Sequence, residues 1–458
     1  MTLDEIAGIT GGHLVNAEPS VAVTGGVEFD SRKIGPGGLF VAFEGEKVDG
    51  HRFAGTAIEA GAAAVLSTRD TGRPGVVVTE PLAALAALAR AVLERLPELT
   101  VVGLTGSSGK TTTKDYVGQL LSRLGPTIAP AGSLNNELGF PYTVLQATES
   151  TRYLVLEMGA RGIGHISYLT GIARPDVGVV LNVGAAHIGE FGSVEGTAQA
   201  KGELVEALRP GGLAVLNADD PLVAAMASRT TARVVLVGES TKSDIAAADV
   251  TLDQDGCASY RLTVAGHSGN VRLKVAGRHQ VANTLAAAAV ALNLGMKFDD
   301  LVEALGQVGI VSVRRMDVFR RPDGVTVIDD SYNANPSSTA AALHALTAMG
   351  AGGRRIAVLG YMAELGDHER DGHEEVGRLA AGLGVDRLVV VADEARPILD
   401  GANRVEGWTG DAKFASDQAI ALRIVRGDMR AGDVVLVKGS RYRTWDVADG
   451  LRPEEERP

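Results

Sequence analysis

The chain has 458 residues, of which 45% are apolar and 22% charged, and its formal net charge is −12. This composition is typical of a folded chain of about three domains, at roughly 150 residues each, and excludes a disordered protein. The single cysteine, Cys257, excludes an internal disulfide and a cysteine-rich zinc site. The acidic excess argues against nucleic acid or an anionic membrane surface as a partner.

No segment of the sequence predicts a secretion signal or a membrane span. The N-terminus has no basic stretch followed by an apolar core. The most apolar stretch, residues 285–296, is interrupted by Asn293 and is too short to cross a bilayer. We therefore expect no membrane insertion and a cytoplasmic location.

The first predicted domain covers residues 1–98. It begins with a short helix over residues 3–9 and ends with a helix over residues 82–96, which stops before Pro97. Between them lie short strands, among them residues 39–43, which follow a strong turn signal. The mixture predicts a small α/β domain.

The second predicted domain covers residues 99–310. Its predicted strands are residues 100–104, 153–156 and 177–183, and its predicted helices are residues 111–124, 201–208 and 280–292. The last two strands are continuous apolar runs, which is typical of a parallel sheet covered on both faces. We predict a central parallel-sheet domain of the P-loop ATPase kind.

The third predicted domain covers residues 311–458. Its predicted strands are residues 325–328, 355–359, 388–391 and 434–437. These strands alternate with helical segments, and this βαβ pattern predicts a doubly wound, Rossmann-like domain. The whole chain is therefore predicted to be α/β with three domains.

The sharpest chemical signal is a phosphate loop between the strand over residues 100–104 and the helix that follows. It consists of Gly106, Ser107, Ser108, Gly109, Lys110, Thr111 and Thr112. Glycines let backbone N–H groups approach phosphate oxygens, and the helix N-terminus adds positive potential. Lys110 can reach the outer phosphates, and Thr111 can hold Mg²⁺ through its hydroxyl. The strict motif would need glycine at position 104, where Leu104 stands, so the loop is a variant.

Glu157 is a further candidate for a magnesium site, whereas His187 and Lys201 are weaker when judged by their own sequence context. Glu157 ends a strand, where metal-binding groups of open α/β sheets gather, and we favour this role over that of a surface carboxylate. His187 suits Mg²⁺ less well, and its pattern alone is that of a packed or solvated histidine. Lys201, at the start of a predicted helix, is by itself a solvated lysine.

Polar residues in the second half of the chain could contact a nucleoside. His279 and Asn283 are four residues apart and share a helix face, and an asparagine can pair with an adenine edge, although a cap and a polar face explain them as well. Asp329 and Asp330 follow a strand and suit ribose hydroxyls or metal. Lys438 closes the last strand and could hold an anion or lie in a charged loop.

Together these segments resemble the Mur ligase family of peptidoglycan synthesis. The motifs that carry the resemblance are Asp30-Ser31-Arg32, VDGH at 48–51, the loop at 105–112, SLNNELG at 133–139, LEMGARG at 156–162, AKGE at 200–203 and DDSYNANP at 329–336. The loop is shared by all Mur ligases and by folylpolyglutamate synthase. The segments at 156–162 and 329–336 are particular to the members that add D-alanyl-D-alanine to UDP-N-acetylmuramoyl-tripeptide.

The resemblance implies roles in the first two domains. Ser31 and Arg32 lie in the motif that binds the UDP end of the substrate, and Asn135 and Asn136 lie in a second substrate-binding motif. Further implied roles are Mg²⁺ ligands at Glu157 and His187 and a carbamylated lysine at Lys201, whose carbamate steadies a second Mg²⁺.

The resemblance also implies ATP contacts and a reaction. Asn283 would contact the adenine, Arg315 the terminal phosphate and Asp330 the ribose. The carboxylate at the peptide end attacks the γ-phosphate of ATP, giving an acyl phosphate and ADP, and the amine of D-alanyl-D-alanine then displaces phosphate. The implied catalytic residues are Lys110, Lys201, His187 and Arg315. The resemblance further implies a monomer whose domains close over the substrates.

Two segments depart from the family pattern, and two alternative functions remain open. Tyr361 stands where the family usually has aspartate, and Trp445-Asp446 stand where Met-Glu is common. One alternative is another ligase of this fold, such as folylpolyglutamate synthase, although that enzyme lacks a UDP-binding first domain. The other is a nucleotide-binding scaffold that has lost ligation, for which Tyr361 is the only support.

Overall fold

The chain contains three β-sheets in the residues that the computed structural model describes, which are 1–45, 48–184, 191–440 and 443–453. The strands of each sheet lie within one of the three predicted domain ranges, and the predicted α/β class is confirmed. The boundaries themselves, at 98/99 and 310/311, stay predictions. Within the described ranges, no helix has both the length and the apolar character that crossing a bilayer requires.

The chain divides into two compact units. Unit 1 comprises residues 1–103, 125–159 and 167–176, and unit 2 comprises residues 104–124, 160–166 and 177–458. The first sheet therefore belongs wholly to unit 1, and the third sheet wholly to unit 2.

The first sheet has five strands. They are β1 (His13–Val15), β2 (Val27–Glu28), β3 (Leu39–Val41), β4 (Ala64–Ser67) and β5 (Gly75–Val77), with helices α1 (Leu3–Thr10), α2 (Ala54–Glu59) and α3 (Pro81–Glu94). The strand order is β1-β5-β4-β3-β2, and only β1 runs antiparallel to its neighbour. Leu39 and Val41 pack into the core on one face and Phe40 into the core on the other, as the alternation of a strand requires.

The second sheet has nine strands. They are β6 (Thr100–Thr105), β7 (Thr127–Ile128), β8 (Tyr153–Glu157), β9 (Val177–Val180), β10 (Leu213–Asn217), β11 (Arg233–Gly238), β12 (Ile245–Leu252), β13 (Cys257–Val264) and β14 (His267–Ala276). The associated helices are α4 (Lys110–Leu121), α5 (Gly139–Val144), α6 (His165–Ile172), α7 (Val194–Glu206), α8 (Pro221–Ala224), α9 (Gln280–Asn293) and α10 (Phe298–Leu305). The strand order is β14-β13-β12-β11-β10-β9-β6-β8-β7.

Two parts of this region differ from the sequence prediction. The antiparallel extension β12–β14 was not predicted, although residues of β13 alternate between buried and exposed and the turn between β13 and β14 contains Gly266. Helix α7 begins at Val194 rather than at Lys201, because the Ser193 side chain accepts from the backbone N–H of Gly196 and caps the helix there. Lys201 therefore lies inside a helix and not at its start.

The third sheet has six strands. They are β15 (Asp317–Arg320), β16 (Thr326–Asp329), β17 (Arg355–Leu359), β18 (Arg387–Val391), β19 (Asp411–Ala415) and β20 (Val434–Lys438), with helices α11 (Pro336–Met349), α12 (Glu369–Gly382), α13 (Pro397–Asn403), α14 (Gln418–Asp428) and α15 (Trp445–Leu451). The order is β15-β16-β20-β17-β18-β19, and all neighbours are parallel except β15 and β16. Cores on both faces bury alternate side chains of β17. Because β16 and β20 are parallel neighbours, their carboxyl ends meet at one edge of the sheet.

Candidate active site

The phosphate loop lies in unit 2 between the end of β6 and the start of α4. Gly109 is the N-cap of α4 with a φ of 80°, a left-handed conformation that favours glycine. A Cβ at this position would lie 2.6 Å from Oδ1 of Asn283. No side chain caps α4, so its first backbone N–H groups keep the arrangement that binds phosphate.

Asn182, just after β9, braces this loop and was not predicted from the sequence. Its Oδ1 accepts from the backbone N–H of Ser108 (2.9 Å), and its Nδ2 donates to the carbonyl of Ser108 (3.2 Å). The hydroxyl of Ser107 accepts from the backbone N–H of Gly184 at 2.8 Å. The available signal was a polar residue directly after an apolar parallel strand, where functional groups of α/β sheets gather.

The side chains of the loop are held close to their own backbone. Lys110 Nζ donates to the carbonyl of Gly106 at 2.7 Å. Thr111 is buried, and its hydroxyl accepts from Arg315 Nη2 at 3.3 Å. The structure thus brings Arg315 to the phosphate loop. Thr112 lies beside them in the first turn of α4.

Arg315 is fixed by its neighbours as well as by Thr111. Its guanidinium lies over the ring of Tyr332 at 4.2 Å, and its Nε has no hydrogen-bond partner among the described residues. The flanking residues Arg314 and Met316 have φ angles of 60° and 54°. An unpaired buried donor on a cation is a group that an anionic ligand can satisfy.

Lys201 is a buried amine on α7. Only 2% of its surface is exposed. Burial, and secondly the positive charge of Lys110, hold the pKa of the Lys201 amine well below its usual range. Its environment therefore favours the neutral form of the amine and is not that of the solvated lysine that the pattern alone suggested.

A second polar cluster forms where β16 and β20 end. Lys438 Nζ pairs with the carboxylate of Asp330 and also donates to the carbonyl of Asn333 at 3.0 Å. The other oxygen of Asp330 accepts from the backbone N–H of Met316 at 3.1 Å, so Asp330 is tied to the segment that carries Arg315. Burial lowers the pKa of His279 and that of Lys438, and the Asp330 carboxylate opposes both shifts.

Asn283 is buried near the start of α9 and lies against the phosphate loop at Gly109. Its Nδ2 donates to Oε1 of Gln280 at 2.9 Å, and the same oxygen accepts from the hydroxyl of Tyr116 at 3.0 Å. Gln280 in turn contacts Nε2 of His279 at 3.1 Å. These contacts orient the amide of Asn283.

In unit 1, the structure brings Glu157 and Asn135 together. Asn135 Nδ2 and Ser133 Oγ donate to Oε1 of Glu157 at 2.7 and 2.8 Å. Asn136, also predicted to bind substrate, accepts from the backbone N–H of Gly139 at 2.8 Å and so supports the first turn of α5. Its signal was a side-chain acceptor three residues before a helix start.

Ser31 and Arg32, the other predicted substrate-binding residues of unit 1, lie within residues 1–98, the range of the first predicted domain. Arg32 is highly exposed and donates through Nε and Nη2 to Asp30 at 2.9 and 2.8 Å. These bonds hold the pKa of Asp30 well below its usual range. Ser31, between them, is buried. His187, predicted as a magnesium ligand, lies outside the described residues.

Tyr361 has well-defined partners. Its hydroxyl donates to Oε2 of Glu369 at 2.8 Å, and its ring stacks on that of His373 with 5.5 Å between centroids and 17° between planes. His373 Nε2 accepts from the backbone N–H of Met362. The phenol that replaces the usual aspartate is therefore part of a packed, hydrogen-bonded cluster.

Family models match three parts of the chain. The Mur ligase family catalytic domain matches residues 24–93, the Mur ligase middle domain residues 104–291, and the Mur ligase glutamate ligase domain residues 314–441. The matched residues include the phosphate loop, Lys201, Asn283, Arg315 and Asp330.

Full-length relatives and solved structures agree with these models. The chain is 48% identical to the UDP-N-acetylmuramoyl-tripeptide–D-alanyl-D-alanine ligase of Mycobacterium bovis, covering 98% of this chain and 97% of the relative. It superposes on MurF of Acinetobacter baumannii with a TM-score of 0.86 at 33% identity, covering 98% of both chains. It superposes on MurF ligase of Thermotoga maritima in complex with ADP with a TM-score of 0.81 at 31% identity, covering 94% of this chain and 97% of that one. The chain belongs to the Mur ligase family of ATP-dependent peptide ligases.

Proposed function

We propose that this chain joins D-alanyl-D-alanine to UDP-N-acetylmuramoyl-tripeptide at the expense of ATP. The reaction is the one for which the mycobacterial relative is named. The contact that best supports the chemical step is the hydrogen bond from Arg315 to Thr111, because it places a cation against the phosphate loop. Ligation needs such a cation where charge develops on the transferred phosphoryl group.

In this proposal, the phosphate loop and the cluster around Asp330 contact different parts of ATP. Backbone N–H groups of residues 106–112 and the ammonium of Lys110 would bind the phosphates, and the unpaired Nε of Arg315 would reach the terminal one. Asp330 would accept from the ribose hydroxyls. Asn283, whose amide is oriented by Gln280, would contact the adenine.

The donor set fits Mg²⁺, which prefers oxygen ligands and in ATP enzymes shares them with phosphates. Thr111 offers a buried hydroxyl at the phosphate loop, and Glu157 keeps its proposed role as a ligand on the family resemblance. When bound, Mg²⁺ would neutralise charge on the phosphate oxygens. His187 keeps its proposed role as a further ligand on the family resemblance alone.

We further propose that Lys201 is carbamylated. Burial lowers the pKa of the Lys201 amine and so favours its neutral form, which is the form that attacks CO₂. An N–C bond forms, one proton is released, and the product is an oxygen-donor anion. Carbon NMR with isotopically labelled bicarbonate should give a carbamate signal that is absent from Lys201→Met.

The residues of the chain act mainly by positioning and charge. Lys110 and Arg315 would hold the γ-phosphate while the peptide carboxylate attacks its phosphorus, which forms the acyl phosphate and releases ADP. The amine of D-alanyl-D-alanine then attacks the acyl carbon, and the C–O bond to phosphate breaks as the amide forms. Ser31, Arg32, Asn135 and Asn136 are the proposed contacts to the UDP-linked substrate.

Three finer properties are also proposed. The domain boundaries are residues 1–98, 99–310 and 311–458. The chain acts as a monomer, which light scattering would test. Its proposed substrates, ATP and a UDP-linked sugar, are cytoplasmic metabolites, so the cytoplasm is the proposed location.

The deciding experiment is phosphate release with Mg-ATP, bicarbonate, UDP-muramoyl-tripeptide and D-alanyl-D-alanine, with one component omitted at a time. Release that requires both acceptors, together with a pentapeptide product by mass, would support the proposal. Release that ignores both acceptors would support the scaffold alternative. A product from a folate and glutamate instead would point to a folylpolyglutamate-type ligase.

A further inference from the structure

A row of polar side chains on α4 contacts the linker between α10 and β15, which comprises residues 306–316. Thr111, Asp115 and Gln119 are spaced by four residues, so they lie on one face of α4. Each of the three bonds to a different point of the linker. We call this set of bonds the α4–linker contact.

The α4–linker contact consists of three ties, each of which is one α4 side chain hydrogen-bonded to one linker residue. The linker runs antiparallel to the helix across these ties. The Gln119 amide bonds to both backbone groups of Gly309, donating to its carbonyl at 2.9 Å and accepting from its N–H at 3.0 Å. Asp115 Oδ2 accepts from the backbone N–H of Ser312 at 2.9 Å. The third tie is the bond from Arg315 to Thr111. Advancing along the linker therefore moves back along α4, toward the phosphate loop.

Polar bonds and not apolar packing hold this part of the linker. Val311 and Val313 are 50% and 58% exposed, whereas Ser312 and Asp115 are 2% and 4% exposed. The second oxygen of Asp115 lies 2.8 Å from Nζ of Lys114, in an ion pair without hydrogen-bond alignment. Buried polar groups specify geometry strongly because leaving one of them unmatched is costly.

The position of Ser312 in the linker determines the position of Arg315. Only two residues separate Ser312 from Arg315, and the residues on either side of Arg315 have left-handed backbone. Arg314 is held by two bonds of 2.8 Å to Asp449, and Met316 by Asp330. The segment from Ser312 to Arg315 is therefore short, and hydrogen bonds fix it at both ends.

We propose that Asp115 and Gln119 are positioning residues for Arg315, an inference that rests on the proposed function. They lie about one and two helical turns from Thr111 and act on the reaction only through the linker. Their bonds set the position of the Arg315 guanidinium relative to the phosphate loop. Loss of a tie should then misplace the cation, and small misplacements of catalytic groups cost large factors in rate.

The first test is Gln119→Met, which keeps side-chain volume and helix propensity but removes both bonds to Gly309. We expect kcat for pentapeptide formation to fall by about tenfold or more, while the Kd of ATP changes by less than about threefold. Gln146→Met, at an exposed glutamine outside the α4–linker contact, is the matched control. A fall in melting temperature with unchanged kcat would show a merely structural role and overturn the proposal.

The second test separates the bond to Ser312 from the ion pair between Asp115 and Lys114. Lys114→Met/Asp115→Asn keeps an acceptor for the N–H of Ser312, whereas Lys114→Met/Asp115→Leu removes it with nearly the same shape. We expect kcat to be at least about fivefold higher in the first double variant than in the second. Equal values of kcat in the two would count against the tie.

A double-mutant cycle with Arg315→Met shows whether the ties act through Arg315. Gln119→Met should lower kcat in the wild-type background and cause no further loss in the Arg315→Met background. Losses that multiply would overturn the proposal while leaving the ligase function intact. A wild-type chain that makes no pentapeptide in the same assay would overturn the proposed function and this inference with it.

Discussion

Arg315 donates a hydrogen bond to Thr111 although the two residues are 204 positions apart in the chain. This bond connects the segment before the third sheet to the first turn of the helix that follows the phosphate loop. Removal of the guanidinium therefore tests the phosphate chemistry directly.

We expect Arg315→Met to lower kcat by about a hundredfold, because a fixed cation that meets developing phosphoryl charge contributes on that scale. The Kd of ATP should change much less, because the backbone of the loop carries ground-state binding. Phosphate-release assays with all substrates measure kcat, and isothermal calorimetry measures the Kd of ATP. Arg261→Met is the control, since Arg261 is half exposed and pairs only with the exposed Asp249 among the described residues. An equal loss in both variants would contradict the role of Arg315.

Lys201→Met should abolish ligation yet raise the melting temperature in bicarbonate-free buffer. The folded pKa of Lys201 is lowered, so between that pKa and about 10.5 the unfolded chain binds one more proton than the folded chain. The amine therefore lowers the free energy of unfolding more as pH falls toward its folded pKa, and this destabilisation is absent above about pH 10.5. The gain in melting temperature should shrink between pH 7 and pH 10 in calorimetry. A gain that grew with pH would be inconsistent with a buried neutral amine.

Gly109→Ala should abolish ATP binding, because it combines a left-handed backbone with a Cβ 2.6 Å from Asn283. Gly72→Ala is a matched control, since Gly72 has a φ of 69° but nothing within 4 Å of the added carbon. The control should lose only about 1 kcal/mol of stability and keep ATP affinity. Isothermal calorimetry with ATP compares the two. Normal ATP affinity in Gly109→Ala would mean that the loop can move away from Asn283.

Tyr361→Phe should cost about 1 kcal/mol of unfolding free energy, because it removes the bond to Glu369 and keeps the stack on His373. Tyr361→Asp should cost about 2 kcal/mol, because it also loses the stack and places a carboxylate beside Glu369. Urea unfolding measures both changes. A stabilised Tyr361→Asp variant would show that the tyrosine is retained for a reason other than packing.

Local sequence signals predicted the fold well and the site only in part. Glycines and apolar runs have local causes, so the three-sheet α/β order and the phosphate loop could be predicted. The brace from Asn182 to Ser108 and the pair of Lys438 with Asp330 depend on which strands become neighbours, and no local pattern gives strand order. Arg315 was identified only through the family resemblance, because nothing in its own segment predicts a contact with Thr111.

The α4–linker contact also restricts how this region can change in length. One residue added to α4 between Thr111 and Gln119 would rotate the two side chains by about 100° relative to each other. One residue added to the linker between Gly309 and Arg315 would shift every later tie out of register. Insertions and deletions should therefore be costly in two segments that lie far apart in the chain, whereas point substitutions that keep the three bonds should be tolerated in both.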